Sequence, residues 1–177
     1  MKKFLIILLL SLPVFAGNLQ LKEGFVAAHT EVFGDSTIDP LNNDLRADLT
    51  MQDVDITTLR GSFSVDMKLF VSDNSDRDEN MNEATEVSKF PLATYTVSSV
   101  TQTEDAHAYI ISGTLDFHGT KNGLDIYAEI TWQDNTLTIN GISKILLSDY
   151  KVEAPCLLGF LCVEDKVDIF AKAVLSK

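Results

Sequence analysis

Apolar and polar residues alternate with a period of two along most of the chain. The stretch 61–71 is the clearest case. Phe63, Val65, Met67, Leu69 and Val71 fall on one side, and Ser62, Ser64, Asp66 and Lys68 on the other. Successive side chains of an extended strand point to opposite faces, so this spacing predicts a strand with one face buried. Residues 46–51 alternate likewise. So do Tyr109, Ile111, Gly113, Leu115 and Phe117, then Leu124, Ile126, Ala128, Ile130 and Trp132, and finally Val167, Ile169, Ala171, Ala173 and Leu175. Turn-forming residues separate the runs: 39–43, His118-Gly119, Asn122-Gly123, 133–135 and Asn140-Gly141. Many evenly spaced strands with polar outer faces predict an all-β sandwich or barrel with antiparallel pairing. One segment, 78–89, lacks alternation and is rich in Glu, Asn, Met and Ala. It predicts a helix of two to three turns, capped by Asp78 and ended at Phe90-Pro91.

The first residues follow a different rule. Lys2 and Lys3 precede an apolar run from Phe4 to Leu12, broken only by Ser11. Pro13 and the sequence Val14-Phe15-Ala16 come before Gly17. A basic start, a short apolar stretch and a small residue at the end read as a secretory signal peptide cleaved after Ala16. The run is far shorter than the roughly 20 residues of a membrane-spanning helix. No cysteine stands beside Ala16 to carry a lipid anchor. The expected organisation is therefore a signal peptide, 1–16, and one exported domain, 17–177, in the periplasm.

Charge narrows the choice of partner. The chain has 14 basic and 26 acidic residues, a formal charge of −12. Loss of Lys2 and Lys3 would leave 12 against 26, or −14. Such a surface repels phosphate backbones and anionic headgroups, which argues against nucleic acid as a partner. Export also bears on Cys156 and Cys162, the only cysteines. In an oxidising compartment a close pair reads as a disulfide. A zinc site would need four ligands, and no histidine lies beside this loop. A redox pair reads Cys-x-x-Cys, which this is not. The apolar residues between the cysteines, Leu157, Leu158, Phe160 and Leu161, either enter the core or form a lip at a barrel mouth.

No motif points to catalysis. There is no Gly-x-Ser-x-Gly elbow, and no carboxylate pair stands out among so many. His29, His107 and His118 are scattered without metal-ligand spacing. Asp76, Asp78 and Asn80 imitate the start of a calcium loop, but Met81 and Val87 replace its Gly and Glu. The sequence thus calls for no cofactor, no metal and no enzymatic activity. Arg77-Asp78 reads best as an ion pair holding the turn before the helix. The alternative places Arg77 at a ligand headgroup.

Several segments in order resemble the YceI-like family. They are Gly61-Ser62-Phe63-Ser64-Val65-Asp66, then residues 72–81 with Arg77-Asp78, then Phe90-Pro91-Leu92-Ala93-Thr94-Tyr95, and then residues 111–121 with Gly113-Thr114-Leu115 and Gly119-Thr120-Lys121. The resemblance runs from about Gly24 to Leu175. The loop containing Cys156 and Cys162 is not a general feature of that family. The resemblance implies an extended antiparallel, lipocalin-like β-barrel of about eight strands with one short helix. It also implies an apolar interior holding a long isoprenoid quinone or a fatty-acid-like lipid. Phe63, Val65, Met67, Leu69, Tyr95, Leu115, Phe117, Ile126 and Trp132 are the expected inward, ligand-binding residues. A filled core would show the same alternation. That alternative corresponds to a structural or stress-related interaction protein. Neither a monomer nor a homodimer is singled out.

Overall fold

A computed structural model describes residues 16–32, 36–157 and 161–177. The expected signal peptide, apart from Ala16, and the middle of the cysteine loop with Leu158 and Phe160 lie outside these residues. The chain forms β1 (Ala16–Val32), β2 (Ser36–Ile38), β3 (Leu41–Asn42), β4 (Arg46–Gln52) and β5 (Asp55–Asp66). Helix α1 (Ser75–Ala84) follows. Then come β6 (Leu92–Gln102), β7 (Ala108–Phe117), β8 (Thr120–Gln133) and β9 (Thr136–Leu146). The last elements are β10 (Cys156–Leu157), β11 (Leu161–Cys162) and β12 (Lys166–Ser176).

Strands β1, β4, β5, β6, β7, β8, β9 and β12 are hydrogen-bonded in that order, each antiparallel to the next. Pairing of β12 with β1, from Gln20↔Ser176 to His29↔Asp168, closes the ring. Closure leaves no free edge in the barrel wall. Strand β1 is long enough to change partner. It pairs with β4 over Ala16–Leu19, and further along with β3 and β2. No described helix is long and apolar enough to cross a membrane.

The structure corrects three local expectations. The strand expected over 61–71 ends at Asp66. The Asp66 carboxylate accepts a hydrogen bond from the Lys68 N–H at 3.0 Å and caps a 3-10 turn, Met67–Leu69. The turn breaks the alternation, so Leu69 and Val71 are 44% and 56% exposed while Phe70 is buried. Helix α1 begins earlier than expected. Asn74, in extended backbone, accepts from the N–H groups of Asp76 and Arg77 at 3.0 and 3.1 Å. Asp78 lies inside the helix, where its carboxylate accepts from the Ser72 N–H at 2.9 Å. Finally, Asn122-Gly123 and Asn140-Gly141 are not turns. They belong to β8 and β9. Gly141 is there for space, since a Cβ would come within 2.7 Å of the Ile126 side chain. Tight hairpin turns lie at His118-Gly119 and Asp134-Asn135, whose residues all have positive φ, and at Asp53-Val54.

The inward residues fill the barrel unevenly. Leu49, Met51, Leu59, Ile130, Leu137 and Leu175, each almost wholly shielded from solvent, cluster at one end with Leu19 and Val100. That end is a solid plug. The other end is not filled.

Candidate functional site

Beyond the plug, the inner faces of the strands enclose an apolar cavity of about 580 Å³. An eight-stranded barrel is just wide enough to be packed solid or to hold one small ligand. This volume falls within the roughly 300–1,000 Å³ common for small-molecule sites. The wall is built by strand alternation. Strand β1 contributes Val26, Ala28, Thr30 and Val32, and β5 contributes Phe63 and Val65. Leu115 and Phe117 come from β7, Leu124 and Ile126 from β8, and Val167, Ile169 and Ala171 from β12. Helix α1 closes one side with Arg77, Asn80, Met81 and Ala84. The short hairpin of β10 and β11 is joined by the Cys156–Cys162 disulfide. Pro155, Cys156 and Val163 from that region are also on the wall. Backbone hydrogen bonds hold this region in place. The Val163 N–H donates to the Pro155 carbonyl at 3.0 Å and the Glu164 N–H to the Glu31 carbonyl at 2.8 Å.

Polar groups on the wall are mostly turned away from the space. Thr30, Thr85 and Ser143 donate their hydroxyl protons to the backbone carbonyls of Lys166, Met81 and Asp125, at 3.0, 2.8 and 2.9 Å. The Tyr95 hydroxyl shares its proton between the carbonyls of Ile111 and Leu124, at 2.8 and 2.9 Å. Burial, and to a smaller degree the nearby Asp125 charge, pushes the Tyr95 phenol well above its ordinary range. Its proton therefore stays in place at any physiological pH. Satisfied hydroxyls of this kind carry no demand for a polar ligand, and the surface they leave is hydrocarbon.

Of the nine residues expected to face inward, Phe63, Val65, Met67, Tyr95, Leu115, Phe117 and Ile126 line the cavity. Leu69 does not, because the 3-10 turn carries it to the surface. Trp132 points inward but packs against the plug, away from the cavity wall. Sequence reasoning passed over the contribution of β1, although Val26, Ala28, Thr30 and Val32 keep a period of two. It also passed over Met81 and Ala84, which sit one turn apart on α1. Asp78 is not the partner of Arg77. The Arg77 guanidinium donates to the Thr37 carbonyl at 3.1 Å and lies 3.8 Å from Asp73.

Residues 19–175 match the YceI-like domain. The chain belongs to the YceI-like family. Solved structures share its fold. BcnA of Burkholderia cenocepacia superposes with a TM-score of 0.76 at 16% identity, over 85% of this chain and 95% of that one. A polyisoprenoid binding domain from Saccharophagus degradans gives 0.69 at 14% identity, over 89% and 97%. The Campylobacter jejuni YCEI protein gives 0.63 at 16% identity, over 99% and 91%. A search of the curated proteins finds no match. At these identities the shared property is the barrel itself. In this member of the YceI-like family, the segment after α1 is tied to the β7–β8 turn by His118. Its ring bonds the Tyr150 carbonyl and the Glu86 carboxylate, both at 2.9 Å, and packs edge-on against Phe90.

Proposed function

We propose that this YceI-like protein is an exported carrier that sequesters one long-chain amphiphile, isoprenoid or fatty-acid-like, without altering it. The observation that carries this reading is the hollow half of the barrel. Its wall is apolar and its buried hydroxyls are already satisfied by backbone. A filled-core interaction protein would have no such space. The Saccharophagus degradans neighbour is described as a polyisoprenoid binding domain, which agrees with this reading. The basic, apolar start of the chain and the disulfide support a place in the periplasm.

Hydrocarbon burial supplies the affinity. Each buried methylene contributes roughly 0.8 kcal/mol, about a fourfold gain in binding constant. Ten of them give roughly 8 kcal/mol gross, against at least about 4 kcal/mol for lost freedom of motion. The test is a series of alkyl amphiphiles with one headgroup and increasing chain length, titrated calorimetrically into delipidated protein. Affinity is expected to rise about fourfold per methylene and to level off once the cavity is full. Affinity independent of chain length would refute the carrier reading. Lipid mass spectrometry of protein taken from its own periplasm would then identify the natural occupant.

A further inference from the structure

The protein carries 26 acidic side chains, yet among the described residues none lines the cavity. The wall's two charged residues are both cations, Arg77 and Lys172. The Lys172 side chain alternates with those of Ala171 and Ala173, so it leaves the strand on the opposite face, where it pairs with Glu23 at 2.8 Å. Arg77 is different. It has five N–H donors, and among the described residues its one strong partner is the Thr37 carbonyl at 3.1 Å. The second contact, 3.8 Å to Asp73, is with a carboxylate 89% exposed to water. Such surface pairs hold weakly. The Arg77 side chain is itself 37% exposed, so it stands at the rim where hydrocarbon wall meets solvent. Asn80, one turn along α1, is exposed on the same wall.

From this we infer that Arg77 reads the headgroup, and that the cavity prefers an amphiphile ending in an anionic oxygen pair, such as a carboxylate, over a neutral one of equal length. The inference rests on the carrier reading above. A planar guanidinium matches a carboxylate in a two-point hydrogen bond, which an alcohol or ester cannot return. The protein's overall negative charge opposes this only weakly. At physiological salt, exposed charges more than about 8 Å apart are largely screened. The tail then occupies the hydrocarbon space, and the head stays at the rim beside Arg77 and Asn80.

The experiment compares dodecanoate, methyl dodecanoate and dodecan-1-ol on the whole folded protein, by calorimetric titration at neutral pH. Dodecanoate should bind at least tenfold more tightly than either neutral probe. Arg77→Gln should bring the three within about twofold of each other, with dodecanoate losing the most affinity. Arg77→Lys should retain only part of the preference, since it keeps the charge and loses the two-point geometry. Equal binding of all three probes by the unaltered protein overturns the headgroup assignment and leaves the carrier reading standing. So does a preference that survives in a folded Arg77→Gln protein. Failure of every probe to bind overturns both. Should Arg77→Gln not fold, the comparison of acid with methyl ester on the unaltered protein decides the matter alone.

Discussion

Tyr95 stands between the plug and the cavity, and its hydroxyl ties β6 to the backbones of β7 and β8. Tyr95→Phe would keep the ring and leave two carbonyls without that donor. The expected cost is about 1–3 kcal/mol, which for a domain of this size lowers the thermal midpoint by several degrees. Calorimetric melting checks it. A second residue-scale effect involves His29 on β1, whose Nδ1 is hydrogen-bonded to the Asp39 carboxylate. That bond is the main cause raising the imidazole above its usual 6.5, and it lowers the Asp39 carboxyl below 3.8. The raised His29 stabilises the fold below about pH 6.5 and loses that contribution as pH climbs through its folded value. The lowered Asp39 stabilises above about pH 3.8 and loses it as pH falls further. The pair therefore contributes most between these limits. Urea unfolding of wild type and His29→Gln at several pH values should show their difference shrinking above pH 6.5, from a small maximum because both groups are largely solvated. No histidine pattern in the sequence announces this pair; only the fold brings residues 29 and 39 together.

Helix α1 is the element that carries Arg77, Asn80 and Met81 to the cavity, and its start depends on Asn74. Asn74→Ala removes the acceptor for two N–H groups and should cost about 1 kcal/mol. Because the helix end is frayed rather than lost, the same change should weaken dodecanoate binding more than dodecan-1-ol binding. Paired titrations of the variant test that; an equal loss for both ligands would place the effect on the barrel as a whole. The existence of this helix was legible from the break in alternation. Its boundary was not, because Asn74 and Asp78 are both competent caps, and the choice fell to the one with extended backbone. The same limit explains Leu69. Its spacing continues the strand pattern, but Asp66 caps a turn that ends the strand five residues sooner than the pattern does.

Across the whole molecule, plug and cavity make different demands on residues of the same kind. Leu137→Ala, deep in the plug, should cost about 2–5 kcal/mol. Leu115→Ala, on the cavity wall, removes a side chain that already borders empty space. It should cost less stability and weaken amphiphile binding instead. Chemical denaturation and ligand titration of the two variants separate the effects, and equal stability losses would contradict the division. The sequence by itself determined a great deal: five of the eight barrel strands follow from period-two alternation, the facing of Phe63, Val65, Leu115, Phe117 and Ile126 follows from the same rule, and the disulfide agrees with two closely spaced cysteines. These are local properties, set by backbone geometry and by which side of a strand each residue occupies. Only the tertiary structure decided that Trp132 packs the plug while Ile126, on the same face of the same strand, borders a void. Whether space remains depends on the volumes of inward side chains summed over eight strands far apart in the chain. Only the fold, likewise, turned Arg77 from its neighbour Asp78 towards the mouth of that void.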